Sequence, residues 1–180
     1  MLSNRGNALF DLDRVEEALA SFDSALDLRP DIAPIEAQRG NALLRLARPE
    51  EALASFERAL VAEPDNPVFL NGGGKALDAL GRHDEAMVNY SKAVAAAPDY
   101  VEALINCGDS LIRFGRPVEG LRLFERAAHL AEGDADVLVR WGTALTATGD
   151  PAAATEAYRR ALEAAPNHPG AMAGIGARAE

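Results

Sequence analysis

Prolines, glycines, alanines and aromatic residues recur in this chain on one fixed register, and that register limits what the chain can fold into. Pro30, Pro64, Pro98 and Pro166 fall on a spacing of 34 residues, with Glu132 and Gly133 where the missing member would stand. Gly6, Gly40, Gly74, Gly108, Gly142 and Gly176 keep the same spacing, and Leu9, Leu43, Leu77, Leu111 and Leu145 follow five of them by three residues. The aromatics Phe22, Phe56, Tyr90, Phe124 and Tyr158 keep it too. So do Ala18, Ala52, Ala86 and Ala154, with Gly120 in the gap, and Ala25, Ala59, Ala93, Ala127 and Ala161. A period of this length is the mark of a tandem array of small units.

Each unit holds two apolar patterns of helical period separated by a short break, such as Leu80-Gly81-Arg82-His83 or Thr148-Gly149-Asp150-Pro151. Pro49, Pro117 and Pro151 fall where a second helix would begin, a place that tolerates a missing N–H. The prolines of the 30, 64, 98 and 166 series fall where that helix would end. Small residues at the Gly and Ala positions let two helices approach, and the aromatic fills the space beside them. One such hairpin cannot bury its apolar face alone, so neighbours must stack.

Repeat 3, PVFLNGGGKALDALGRHDEAMVNYSKAVAAAPDY, carries Leu70, Gly74, Leu77, Ala86, Tyr90, Ala93 and Pro98 at the offsets of the tetratricopeptide repeat family. The chain resembles that family over nearly its whole length. The resemblance implies an all-α fold, a right-handed superhelical α-solenoid of antiparallel helix pairs forming a single array over 1–180. The repeats are 1–32, 33–66, 67–100, 101–134 and 135–168, with 169–180 as the first helix of a partial sixth. The related pentatricopeptide family, which binds RNA, has a period one residue longer. The chain is expected to be a piece of a longer protein, or to associate with another copy through terminal helices where Met172 and Ile175 leave an apolar edge.

The net charge is −10 and the pI about 4.8. Nucleic-acid affinity rests on Lys and Arg neutralising phosphates, so DNA, RNA and anionic membranes are not expected partners. No apolar run reaches the ~18 residues of a membrane span. A single cysteine, Cys107, precludes an internal disulfide. With no basic start followed by an apolar run at the N-terminus, this points to a cytoplasmic location.

The stretch Asn71-Gly72-Gly73-Gly74-Lys75-Ala76-Leu77 suggests a phosphate loop but fails its pattern. Phe69 stands where the first glycine belongs, and Ala76 replaces the hydroxyl residue after the lysine. It reads instead as the middle of a helix, with Gly72 replacing a groove residue and Gly73 a core leucine. That marks a weak point, read as a hinge or as a bare patch that a ligand backbone or Arg39 approaches. His83, His129 and His168 show no metal-site spacing and read as surface or hairpin-edge residues. Cys107 reads as a small buried filler and Trp141 as a packing residue. Glu16–Glu17, Glu50–Glu51 and Asp84–Glu85 suit helix N-termini. No catalytic set emerges, so neither enzymatic activity nor a cofactor is expected.

The resemblance implies that ligands bind on a concave wall of first helices. Carried over to this chain, that wall holds Asn4, Gln38, Asn106 and Arg140 at one position and Asn7, Asn41, Lys75, Asp109 and Thr143 at a second. Arg45 and Arg113 stand at a third, with Asp11, Ala79 and Ala147. Recurring amides suit an extended peptide backbone, because each both donates and accepts. At the family's carboxylate clamp Asn71 and Lys75 stand where the family has Lys and Asn, Asn106 and Arg140 match, and Asp136 replaces the second lysine, an acid that repels a carboxylate. The expected function is a non-catalytic scaffold that binds a protein or peptide. The alternatives are a substrate-recruiting segment of a larger enzyme, such as a glycosyltransferase, and a self-assembling module.

Overall fold

Pro49, Pro67, Pro117, Pro151 and Pro169 each stand as the first residue of a helix, where an N–H would have had no intrahelical partner. The computed structural model describes residues 2–30 and 32–176, and every regular element among them is a helix. In chain order these are α1 (Leu2–Asp11), α2 (Val15–Leu28), α3 (Ala33–Arg45), α4 (Pro49–Ala62), α5 (Pro67–Ala79), α6 (His83–Ala96), α7 (Val101–Arg113), α8 (Pro117–Leu130), α9 (Ala135–Ala147), α10 (Pro151–Ala164) and α11 (Pro169–Gly176). Odd and even helices pair as antiparallel hairpins, the all-α repeat class expected from the register. The repeat edges assigned to Met1 and to residues 177–180 lie outside the described residues.

The turn inside each hairpin reuses one left-handed residue, at Asp13, Ala47, Gly81, Gly115 and Gly149. The next residue closes the turn. Arg48 donates its N–H to the Leu43 carbonyl at 2.9 Å, and Ala47 donates to Leu44 at 3.1 Å, the two bonds of a Schellman cap. Gly81, Gly115 and Gly149 serve this conformation without cost. Asp13 tolerates it, and Ala47 bears a steric penalty. The linker after α8 lacks the register proline and turns through Gly133 instead.

Even helices open on a second periodic device. Arg14, Arg48, Arg82 and Arg116 each stand just before an even helix and grip Glu17, Glu51, Glu85 and Glu119 with both arms of the guanidinium at 2.6–2.8 Å. The fifth repeat drops both partners together. Asp150 stands at the arginine position and caps α10 by accepting the N–H of Ala153, which replaces the glutamate. This series was missed by reading the acidic pairs for the helix dipole alone.

The core follows the glycine and aromatic registers. Phe22, Phe56, Tyr90, Phe124 and Tyr158 are buried, as are the five register leucines. A β-carbon at Gly6, Gly40, Gly74, Gly108 or Gly142 would lie under 3.0 Å from the aromatic ring sixteen residues later. Gly120 replaces the register alanine because α7 and α8 approach closely: a β-carbon there would meet the Gly108 carbonyl oxygen at 2.7 Å. Cys107 is buried, as expected for a filler. Trp141 is half-buried, with the Arg160 guanidinium 5.8 Å from its ring centroid. On α11, Met172 is exposed and Ile175 half-buried.

The chain divides into two compact units, Met1–Ala97 and Pro98–Glu180. In the first, α1 packs on α3 and α3 on α5. In the second, α7 packs on α9 and α9 on α11. Among the described residues, no two even helices of either unit approach as closely. Each unit therefore has a tight wall of odd helices and a splayed wall of even ones.

Candidate functional site

The odd-helix wall of each unit carries its share of the residues that the sequence singled out, and burial sorts them. In the first unit Asn4, Arg45 and Lys75 are exposed, while Asn7, Gln38 and Asn41 are half-buried. In the second unit Arg113, Arg140 and Thr143 are exposed, while Asn106 and Asp109 are half-buried. Asn71 departs from expectation. It is only 2% exposed and packs inside the first unit, at the register of Ala37, which is also buried. The wall therefore presents little of the Asn71 side chain to a ligand. The Asn7 Oδ1 is buried with no hydrogen-bond donor among the described residues.

Two of the groove cations are tied to the preceding repeat. The Arg45 Nη2 donates to Asp13 at 2.5 Å, and its guanidinium lies 5.0 Å from the centroid of Phe10. The Arg140 Nη2 donates to Asp109, also at 2.5 Å. Two groove acids are likewise engaged. Asp78 accepts from the Tyr90 hydroxyl at 3.0 Å and lies 2.8 Å from the His83 Nδ1. Asp136 lies 2.9 Å from the His168 Nε2, whose Nδ1 accepts the Ala171 N–H and so caps α11. The wall therefore presents paired charges rather than a field of one sign.

In the second unit this arrangement leaves a pocket of about 290 Å³ between α7 and α9. Ile112, Ala144 and Ala147 give it an apolar floor, and Asp109, Arg140 and Thr143 line its polar edge. Thr143 donates its hydroxyl hydrogen to the Val139 carbonyl at 2.9 Å, so its oxygen can only accept. The core Tyr158 reaches through to this wall, its hydroxyl 3.3 Å from Thr143. The pocket offers acceptors, one guanidinium and an apolar floor. Peptide backbone and a small apolar side chain match that set. Asp109, Arg140 and Thr143 come together here with Ala147, another residue of the expected stripe; Ile112 and Ala144 were missed because apolar residues in a repeat read as core.

Among the described residues no cluster of three His, Cys, Asp or Glu side chains is arranged to hold a metal ion, and no helix is long and apolar enough to cross a membrane. The glycines at 72–74 lie within α5. The atoms nearest to added β-carbons at Gly72 and Gly73 belong to Phe56 and Asn89, not to Arg39, which bonds Asp23 and Ser55 instead.

The fold has close structural relatives. One is YrrB, described as a TPR protein with an unusual peptide-binding site. It is 26% identical with a TM-score of 0.72, the match covering 97% of this chain and 90% of that one. PilW, a widely conserved type IV pilus biogenesis factor, is 23% identical with a TM-score of 0.84 over 97% of this chain and 81% of that one. A thermophilic TPR protein of Thermus thermophilus is 19% identical with a TM-score of 0.82 over 98% of this chain and 96% of that one. The comparison with curated proteins gives no match. Models of the tetratricopeptide repeat match residues 1–32, 38–101, 77–139 and 135–177. On the register, the helix hairpins and these matches together, the chain belongs to the tetratricopeptide repeat family.

Proposed function

We propose that the chain is a non-catalytic interaction scaffold that holds a peptide or a partner's helix against its odd-helix wall. The observation that carries this reading is the pocket between α7 and α9, where an apolar floor meets acceptors and one paired guanidinium. Such a site orients a chain by hydrogen bonds and takes its affinity from apolar burial. The peptide-binding site described for YrrB, the relative at 26% identity, supports the same reading. The net charge of −10 favours protein over nucleic acid as the partner.

The test uses a peptide selected from a random displayed library against the intact chain. Ala147 is exposed at the pocket, so Ala147→Trp fills it without disturbing the core. The affinity is expected to fall at least about tenfold, a loss of ~1.4 kcal/mol, with helical content unchanged. Asn41→Ala and Lys75→Ala test the corresponding wall of the first unit. Unchanged affinity in all three variants overturns the assignment.

A further inference from the structure

On the opposite wall of the first unit, one register position is filled in one repeat and vacant in the next. In α3 that position is Arg39. Its side chain crosses the gap between α2 and α4, where Nε donates to Asp23 at 2.6 Å and Nη1 to the Ser55 hydroxyl at 2.7 Å. In α5 the same position is Gly73, and the gap between α4 and α6 is open, a pocket of about 280 Å³. In α9 it is Trp141, stacked under Arg160.

The vacant gap keeps the acceptors that Arg39 uses one repeat earlier. Thirty-four residues beyond Asp23 stands Glu57, and 34 beyond Ser55 stands Asn89. Both line the pocket. The Asn89 Nδ2 is the atom nearest to a β-carbon built on Gly73, at 3.1 Å, so the amide overhangs the vacant position, and a half-turn presents its oxygen. Leu53, Phe56, Leu60, Leu77 and Val88 form the walls, apolar surface of the kind that an arginine stem covers. Arg82, the cation at the rim, is gripped by Glu85 through both arms and feels the Glu57 carboxylate through charge, and Glu57 lines the pocket's edge. Glu57 and Glu85 outnumber Arg82, so the mouth favours a cation.

We propose that this pocket is a binding site for an arginine side chain supplied by a partner protein. The guanidinium takes the place that Arg39 holds one repeat earlier, between the carboxylate of Glu57 and the amide of Asn89. Lysine is a poorer fit, because one ammonium does not span two acceptors as a planar fork does. The site lies among α4, α5 and α6 and is independent of the pocket between α7 and α9.

The test titrates the intact ¹⁵N-labelled chain with the capped tripeptide Ala-Arg-Ala, using Ala-citrulline-Ala as the uncharged isostere. Saturable shifts are expected at the Gly73 N–H and the Asn89 side-chain amide, with the citrulline peptide about threefold or more weaker. Glu57→Gln, an exposed substitution, should weaken the arginine peptide to the citrulline level. Gly73→Arg should abolish the response by supplying the side chain in place. Ala147→Trp should leave it unchanged, which separates failure here from failure of the odd-helix wall. No saturable shift at Gly73 and Asn89, an equal response to the citrulline peptide, or indifference to Glu57→Gln would each overturn the proposal.

Discussion

Gly72 presses its α-carbon against the ring of Phe56 so closely that a β-carbon would lie under 3.0 Å from three ring atoms. The same ring meets Gly40 from the preceding odd helix in the same way. Phe56 thus sits between α3 and α5, and Gly72 is a packing requirement rather than a hinge. Gly72→Ala should destabilise the chain by about 1–2 kcal/mol, the cost of overpacking exceeding the gain in helix propensity. Urea denaturation followed by circular dichroism measures the change, and a rise in midpoint would refute the packing role.

Gly73, one residue on, should behave oppositely. A β-carbon there meets only the far end of the Asn89 side chain at 3.1 Å and the Phe56 Cβ at 3.7 Å. Asn89 is half-buried and able to turn aside. Gly73→Ala should therefore stabilise the helix by up to about 1 kcal/mol. The same denaturation measurement reads it, and the two adjacent glycines should move the midpoint in opposite directions.

Ala47 holds the left-handed turn position, at φ 54°, that Gly81 holds at φ 73° and Gly115 at φ 72°. Ala47→Gly should stabilise the chain by about 1 kcal/mol by relieving the β-carbon clash. Gly81→Ala should cost a similar amount, although nothing lies within 4 Å of the added carbon. Paired thermal melts of the two variants check both signs.

The arginine grips predict how the chain responds to acid. Hydrogen bonds from Arg14, Arg48, Arg82 and Arg116 hold the carboxyls of Glu17, Glu51, Glu85 and Glu119 below their ordinary range. Arg159 does the same to Glu156. A carboxyl lowered on folding stabilises the folded state fully above its unfolded value, and that contribution is lost as pH falls through the folded value. Melting temperature should therefore hold steady near neutral pH and decline below about pH 4.5, the ordinary glutamate value. Glu85→Gln should make that decline shallower, and an unchanged acid limb would count against the grips.

The sequence made the architecture legible because each helix pair repeats one packing solution: glycine against aromatic, leucine one turn on, proline at a helix start or beyond its end. What it hid were positions where different residues meet one backbone demand. Asp13 and Ala47 stand where three other repeats place glycine, so the common turn left no common letter. Asn71 reads as a groove residue because it stands at a position of the family's carboxylate clamp, yet its register is buried at Ala37 and Ile105 as well. The Gly72–Phe56 contact was invisible because it joins neighbouring repeats, and only the packed helices show which ring meets which glycine. On the odd-helix wall Asp109, Arg140 and Thr143 were legible as polar residues on a helical stripe. Ala147 was legible as a position on that stripe, but Ile112 and Ala144 beside it were not, since a repeat gives no sign of which apolar residues line a groove.

The central proposal, that partners bind on the odd-helix wall, is tested most directly by mapping a library-selected peptide on the ¹⁵N-labelled chain. The account predicts saturable shifts at Asp109, Ile112, Arg140, Thr143 and Ala144, with Glu125 on α8 and Arg159 on α10 unmoved. Shifts confined to the even helices, with the pocket between α7 and α9 unaffected, would contradict it.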